Sequence, residues 1–213
     1  MTRLYLIRHG ESLSNVEGTF TGQLDIPLSE AGREQARCTA AFLQDVPLEA
    51  VYTSDLSRAY ETGCIIAQTH SLMAVPTTHL REVHGGLWQG KKYADLEAEF
   101  PESYGIWRRQ IGLAVPPEGE PVARLQQRVL AFVQSVVCTH PDGCVALATH
   151  ATPIRVLECL WRGLPLEEMH TVPWVSNASV TIAECDGTGN FRIIQRDLSA
   201  HLGKLYTELP TTV

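Results

Sequence analysis

The chain has 213 residues, of which 44% are hydrophobic and 19% are charged, and its formal net charge is −7. This length suits one domain with a substantial core, and the acidic balance argues against a general binder of nucleic acids or other polyanions. Any anion site must therefore concentrate positive charge locally, against the field of the whole protein.

Six cysteines are scattered along the chain without a CxxC pair. Because an isolated cysteine in an apolar context is most often a small buried hydrophobe, we predict neither a disulfide framework nor a zinc cluster. The N-terminus enters a strand directly, without a basic and apolar leader, and no apolar run approaches about 18 residues. We therefore expect a cytoplasmic protein.

Short apolar runs alternate with helical patterns in the first half of the chain. Residues 4–8 predict a buried strand, and a polar, glycine-containing loop follows to about Pro27. Ser29 is a suitable N-cap for a helix with an apolar stripe through SEAGREQARCTAAFLQD. Beyond it we predict a strand over 50–55, a helix over 56–70 and a third strand over 77–80.

The second half continues this alternation. Residues 92–111 predict one or two short helices over the site, followed by a loop over 114–121 that is rich in proline and glycine. Residues 122–139 predict a long amphipathic helix, 144–150 a strand and 151–161 a further helix. SVTIAECD and FRIIQRD, separated by GTGN, predict a closing strand pair.

Strands that alternate with helices predict an α/β fold, here a three-layer α/β/α sandwich with a mostly parallel central sheet. Ligands bind such sheets beyond the carboxyl ends of the strands. We therefore place the functional site at the rim that collects the polar residues following three apolar runs. These are Arg8 and His9, Ser54 and Asp55, and Thr149 and His150.

The first candidates each have a structural alternative. Arg8 and His9 alone equally fit a surface ion pair beside a histidine bonded to a loop. Gly10 permits either a positive φ or a close backbone approach. Arg58 opens a helix, where it either pairs with Glu61 on the surface or points at an anion.

His150 and Glu82 complete the set of candidates. His150 precedes a predicted helix start, where unpaired N–H groups bind anions, although it equally fits a histidine that caps a core strand. Glu82, in LREVHGGLWQG, is the candidate acid, with a solvated loop carboxylate as its alternative. Two histidines placed independently at one rim favour an anion site.

Five motifs occur in order along most of the chain: RHGES, FTGQLDIPLSEAGREQA, YTSDLSRAYET, LREVHGGLWQG and LATHATPIR. Together they resemble the histidine phosphatase superfamily, in its phosphoglycerate-mutase-like branch, and within it the short phosphatases of broad-specificity or α-ribazole type. We accordingly expect a single domain of this kind over residues 1–213, with about residues 84–121 as a helical lid over the site.

The resemblance implies a role for each matched residue. His9 would be the nucleophile that becomes phosphorylated, Glu82 the proton donor to the leaving oxygen, and Arg8, Arg58 and His150 the groups that hold the phosphoryl oxygens. Arginine offers paired donors to phosphate and neutral imidazole is a competent nucleophile, so these residue types suit the chemistry. The predicted substrate contacts are Asn15, Thr21, Gly22 and Ala151.

Ala151 departs from the family pattern, which usually has glycine after the second histidine. An alanine would be strained if the backbone there needed a positive φ, but it costs little at a helix N-terminus with a negative φ. We expect the second case, with the Ala151 N–H group facing the phosphate.

We predict a metal-independent phosphomonoester hydrolase without a cofactor, acting on a small-molecule phosphate monoester, with no nucleic-acid or membrane partner. Phosphoglycerate mutases of the family usually carry a longer insertion between Glu82 and His150, and a non-catalytic phosphate-binding member would have lost one of these residues or His9. A homodimer is compatible with the sequence. A metal-dependent hydrolase is disfavoured, since no pair among three further histidines has ligand spacing: His79, His84 and His170.

Several residues of the predicted lid have open roles. Its apolar side chains either admit uncharged or aromatic leaving groups or pack the small helices onto the sheet. Arg108 and Arg109 are either a remnant of carboxylate recognition or a solvated helix end. The apolar residues are Trp88, Tyr93, Tyr104, Ile106 and Trp107.

Overall fold

The alternating pattern folds into one six-stranded sheet with helices on both faces. The computed structural model describes residues 1–207. Its strands are β1 (Thr2–Arg8), β2 (Leu48–Ser54), β3 (Ala74–Thr77), β4 (Cys144–Thr149), β5 (Val180–Cys185) and β6 (Phe191–Leu198). Its α-helices are α1 (Leu13–Glu17), α2 (Glu30–Leu43), α3 (Ser57–Thr69), α4 (Tyr93–Glu99), α5 (Pro101–Arg109), α6 (Val122–Thr139) and α7 (Ala151–Trp161).

The strands lie in the order β3-β2-β4-β1-β5-β6. The four strands from β3 to β1 are parallel, and β5 and β6 continue the sheet in antiparallel pairing. This confirms the predicted mostly parallel sheet. In the register of β1 and β4, Arg8 lies beside Thr149, so the two strands end at the same rim.

Side chains of β1 alternate between two cores, as expected for a strand buried on both faces. Leu4 and Leu6 pack with residues of α6 and α7 on one face, together with the aromatic side chains around α4 and α5. Tyr5 and Ile7 pack with residues of α2 and α3 on the other face. The three-layer architecture is therefore confirmed.

Two local predictions are corrected. The third strand lies at Ala74–Thr77, while Thr78–Leu80 is a 3-10 helix, because the Thr77 hydroxyl accepts the His79 N–H and Leu80 turns inward to the core. The predicted loop before Pro27 contains α1. A capping box between Ser12 and Asn15 and the left-handed Gly18 bound this helix, which is too short to show an apolar period.

Gly10 does not have a positive φ, so a glycine is required here for close packing. A Cβ atom built on Gly10 would lie 2.2 Å from the carbonyl oxygen of Gly32 in α2. Gly32 in turn lies against Glu11, where a Cβ would meet the carbonyl oxygen at 2.0 Å. The two glycines thus seat the loop after β1 directly on α2.

The six cysteines all lie among the described residues and are free thiols. Within residues 1–207, no helix is both long enough and apolar enough to cross a membrane.

Candidate active site

The carboxyl ends of β1, β2 and β4 bring the predicted polar residues to one rim. Arg8 ends β1 and His9 follows it, while Ser54 ends β2 and His150 follows β4. The His150 Nε2 lies 2.9 Å from the Ser54 hydroxyl oxygen, which joins two of the three strand ends directly. The predicted polar residues therefore lie at one rim, and the assignment of this rim as the functional site stays a prediction.

A cavity that is open to solvent lies at this rim. It has two chemically distinct parts. We call the first the polar end, formed by Arg8, His9, Asn15, Thr21, Gly22, Arg58, Glu82, Ala151 and Thr152. We call the second the aromatic wall, formed by Phe20, Tyr93, Trp107 and Trp174.

His9 is held as a neutral imidazole with one defined free nitrogen. Its Nδ1 lies 2.6 Å from the Gly10 carbonyl oxygen, and since a carbonyl only accepts, Nδ1 carries the proton and Nε2 carries the lone pair. Burial, followed by the Arg58 and Arg8 charges, holds the pKa of His9 well below its usual value. A neutral imidazole is the nucleophilic form.

His150 lies directly behind His9, with the ring centroids 5.0 Å apart in an edge-on contact. It is fully buried and does not contribute to the cavity surface formed by the described residues. The Ser54 hydroxyl accepts the Leu56 N–H and forms a hydrogen bond with His150 Nε2 in which either group can be the donor. Burial, with the Arg58 charge next, holds the pKa of His150 well below normal.

Two buried arginines supply the positive charge of the polar end. Arg8 donates from Nη1 to the Val175 carbonyl oxygen at 2.6 Å. Arg58 donates to the carbonyl oxygens of Leu24 and Gly22 at 2.8 and 2.7 Å, so it does not form the surface pair with Glu61. Burial lowers the pKa of Arg58 to about 10, so its guanidinium group stays charged at neutral pH, and burial also lowers the pKa of Arg8.

Asn15 and the turn after it shape one side of the polar end. The Asn15 Oδ1 accepts from the Ser12 backbone and from Asn177 Nδ2, which leaves the Asn15 amide donors for the cavity. Thr21 is tied through its hydroxyl to Ser14 at 2.5 Å. Gly22 has a φ of 53°, and its carbonyl accepts from Arg58, so this turn fixes the guanidinium plane.

Glu82 reaches the rim from the segment after β3. Its Oε1 accepts the Val83 N–H at 2.7 Å, and its Oε2 accepts the Thr152 N–H at 3.2 Å at the start of α7. The second N–H group of α7, that of Thr152, is therefore occupied by Glu82. Ala151 lines the cavity without a positive φ, as expected, so the alanine is accommodated without strain.

The aromatic wall only partly follows the predicted lid residues. Tyr93 and Trp107 line the cavity. The centroid of the Phe20 ring lies 6.0 Å from that of Tyr93 and 5.3 Å from that of Trp107. Trp88 and Tyr104 are instead buried in the core beneath, where their rings lie 5.6 Å apart. The remaining lid prediction, Ile106, is 39% exposed and lies outside the cavity surface of the described chain.

Other charged candidates lie away from the cavity. Arg108 and Arg109 are exposed at the end of α5, and Arg108 pairs with Glu97, as a solvated helix end would. His79 stacks on Phe132 with its ring centroid 5.7 Å away. No group of three or more metal-binding side chains occurs among residues 1–207.

Sequence reasoning missed Trp174, Phe20 and the supporting Ser54 hydroxyl bond. Trp174 had a readable signal, because it precedes β5, which runs antiparallel to β1. Ile7 pairs with Val180, so the segment that enters β5 lies at the same rim as His9. Phe20 lay within a motif already singled out, but nothing in its spacing indicated contact with a helix some 70 residues later.

The family model of the histidine phosphatase superfamily (branch 1) matches residues 4–195. Phosphoserine phosphatase 1 of Hydrogenobacter thermophilus is 30% identical over 208 residues, 98% of each chain. Glucosyl-3-phosphoglycerate phosphatase of Mycobacterium tuberculosis is 33% identical over 187 residues, 84% of this chain and 83% of the relative.

A solved structure is also close in fold. Bacillus stearothermophilus YhfR is 35% identical and superposes with a TM-score of 0.90, covering 95% of this chain and 100% of its own. The chain therefore belongs to branch 1 of the histidine phosphatase superfamily.

Proposed function

We propose that the protein is a phosphomonoester hydrolase that works through a phosphohistidine intermediate on His9. One observation carries the proposal: a buried, neutral imidazole presents an unprotonated Nε2 beside Arg8 and Arg58. Phosphoryl transfer needs a nucleophile in this state and fixed cations around the three equatorial oxygens. Kinship to named phosphatases supports the hydrolase class.

In the first step, His9 Nε2 forms a bond to phosphorus as the bond from phosphorus to the ester oxygen breaks. Arg8, Arg58 and the Asn15 amide stabilise the charge that spreads over the phosphoryl oxygens. The electron pair of the broken bond goes to the leaving oxygen, which takes a proton from the carboxyl group of Glu82. The products of this step are a free alcohol and phosphorylated His9.

In the second step, water occupies the place of the alcohol and attacks phosphorus. Glu82, now ionised, accepts a proton from this water, and the bond between phosphorus and Nε2 breaks. Inorganic phosphate leaves, and His9 and Glu82 return to their starting states. The bonds from the Thr152 and Val83 N–H groups hold the carboxyl group at this position through both steps.

His150 acts in this scheme from behind His9. The Ser54 bond fixes the orientation of the His150 ring, and this ring packs edge-on against His9. The Ala151 N–H at the start of α7 adds a further donor for phosphate. Thr21 and Gly22 act by fixing the Arg58 guanidinium and by closing the cavity beside the phosphate.

The aromatic wall supports a preference for leaving groups that are apolar and small enough to enter the cavity. Phe20, Tyr93, Trp107 and Trp174 contribute aromatic surface to the same cavity as the polar end. The segment 84–121 supplies two of these rings, Tyr93 and Trp107, and in this proposal it acts as the lid of the cavity. Small phosphate monoesters with an apolar or aromatic alcohol are thus the proposed substrates.

We propose that the enzyme works in the cytoplasm on free small-molecule esters and not on nucleic acid. Six free thiols suit a reducing compartment, and the net charge of −7 opposes polyanion binding. A homodimer stays a prediction for sedimentation analysis.

The proposal is tested with His9→Ala. We expect no turnover of phenyl phosphate and no radiolabel on the protein after rapid acid-free quenching with a labelled ester, whereas the unchanged protein shows both. The control is His170→Ala, an exposed histidine on a 3-10 helix away from the polar end. Full activity of His9→Ala would contradict the proposed mechanism.

Two further conditions separate the remaining alternatives. Turnover that survives EDTA is expected, because the two arginines supply the positive charge that a metal would otherwise provide. With 3-phosphoglycerate and a 2,3-bisphosphoglycerate primer, we expect phosphate release without isomerisation. Isomerisation would identify a mutase, and phosphate binding without turnover a non-catalytic member of the family.

A further inference from the structure

A short segment before β5 is tied down by three arginines at four consecutive carbonyl groups. Arg155 of α7 donates from Nε and Nη2 to the Val172 carbonyl oxygen at 2.9 and 2.6 Å. Arg196 donates to the next two carbonyl oxygens, those of Pro173 and Trp174. Arg8 donates to the fourth, that of Val175. We call residues 172–175 the strap.

Arg155 also contacts the aromatic side chain that the strap carries. Its guanidinium carbon lies 3.9 Å from the centroid of the Trp174 ring, a close cation–π contact. Arg155 is 3% exposed, and it donates in addition to the Met169 carbonyl oxygen at 3.1 Å. The planar group is therefore fixed by hydrogen bonds at its edge while its face supports the indole.

The contact with Arg155 matters because the aromatic wall borders a second groove on the side away from the active-site cavity. Trp174 and Trp107 line the active-site cavity and also line a second groove on their other side, together with Arg155 and His170. The two indoles lie 6.3 Å apart at a tilt of 36° and do not stack tightly on each other. Without Arg155, the Trp174 ring would have room to turn outward into that groove.

We propose that Arg155 is a positioning residue that selects the leaving group by holding Trp174 in the aromatic wall. This inference rests on the proposed phosphatase function. Arg155 does not touch the cavity surface formed by the described residues, and its effect on substrate passes through the indole. The role predicts an influence on which alcohol is accepted, with little influence on the transfer of the phosphoryl group.

Two aryl esters of similar leaving-group acidity separate these effects. Phenyl phosphate has a single ring next to its phosphoryl group, whereas 1-naphthyl phosphate has a second ring that would extend along the aromatic wall. In Arg155→Lys, which keeps the charge but loses the planar fork, we expect KM for 1-naphthyl phosphate to rise about three- to tenfold more than KM for phenyl phosphate, the scale of one lost stacking contact. We expect kcat on both esters and inhibition by inorganic phosphate to stay within about twofold.

Arg162→Lys is the matched control. Arg162 lies just after α7, the helix that contains Arg155. It pairs with the buried carboxylate of Glu158, which Arg196 also binds. It makes none of the bonds to the strap described above. Unchanged KM values for both esters are expected for Arg162→Lys. Equal changes in the two lysine variants would overturn the role of Arg155.

Variants of Trp174 test the same inference with Arg155 intact, and so apply even if Arg155→Lys does not fold. Trp174→Phe keeps a ring face for the guanidinium and is expected to retain most of the preference for 1-naphthyl phosphate. Trp174→Leu removes the face and is expected to lose it, and Arg155→Lys should add no further loss in that background. Additive losses, or equal losses on both esters, would overturn the inference.

Failure of this inference is distinguishable from failure of the proposed function. Turnover of phenyl phosphate by the unchanged protein, and its loss in His9→Ala, test the phosphatase activity alone. The ratio of the two KM values tests Arg155 alone. An active enzyme whose ratio does not move in any of these variants would retain the proposed function and reject the positioning role.

Discussion

The two parts of the cavity are built in opposite ways. In the polar end, Arg8 and His9 lie at the end of β1 and Arg58 lies at the start of α3, and all three are less than 10% exposed and hydrogen-bonded to the backbone. The aromatic wall comes from loops and short helices that are distant in sequence. Phe20 meets two of the other rings edge to face, those of Tyr93 and Trp107, the latter at 5.3 Å.

This difference separates chemistry from selection. Hydrogen bonds to fixed backbone atoms define the position of a charge within narrow limits, as transition-state stabilisation requires. Ring contacts define a surface that adapts to a ligand, because small changes of side-chain torsion cost little. The polar end therefore suits one reaction, whereas the wall is the part that can vary among related enzymes with different alcohols.

The largest expected effect lies in the polar end, in Glu82→Gln. The amide keeps the size of the carboxyl group but cannot transfer its proton, so an alcohol that needs protonation leaves slowly. We expect kcat to fall about 10²- to 10⁴-fold for an alkyl phosphate and less than about tenfold for p-nitrophenyl phosphate. Steady-state kinetics on both esters measure this split.

Arg58→Lys is the comparison for Glu82→Gln within the polar end. It removes the bonds that Arg58 makes to Gly22 and Leu24, so it disturbs the phosphate position for every ester. An equal loss on alkyl and aryl esters is expected, since the phosphoryl group is common to both. If Glu82→Gln also lost activity equally on both, its acid role would be refuted.

The second effect concerns stability, because the buried histidines make the free energy of unfolding depend on pH. The pKa values of His9 and His150 lie well below normal in the folded protein, so only the unfolded chain takes up these protons just below about pH 6.5. The free energy of unfolding should therefore fall as pH falls through this range, by up to about 1.4 kcal/mol per pH unit for each histidine. Urea unfolding between pH 7.5 and 5.5 measures the slope.

Two variants assign this slope to the polar end. His9→Gln should make the slope shallower by the contribution of one proton, because the unfolded variant has one titrating group fewer. Trp174→Leu should lower stability by a similar amount at every pH, since the wall contributes packing and not proton uptake. A slope unchanged by His9→Gln would mean that His9 is not held neutral in the folded protein.

The same contrast explains how much the sequence could predict. Arg8, His9 and His150 follow apolar runs, and parallel strands end at one rim, so their meeting follows from chain order and elementary sheet geometry. Trp174 meets Trp107 only because α5 and the strap pack on the same core, a contact that no local period encodes. Trp88 shows the converse: an aromatic residue of the predicted lid that packing places inside the core.

The smallest expected effect comes from Tyr93→Phe and fixes where the wall ends. Burial raises the pKa of Tyr93, so its hydroxyl stays protonated and neutral at every working pH, near the charges of Arg8 and Arg58. If Tyr93 serves through its ring, the phenylalanine variant should change kcat/KM for phenyl phosphate less than about fivefold, whereas Tyr93→Leu should weaken the preference for 1-naphthyl phosphate. A fall in kcat of about 100-fold or more in Tyr93→Phe would instead identify the hydroxyl as a proton donor. That result would move Tyr93 from the aromatic wall to the polar end.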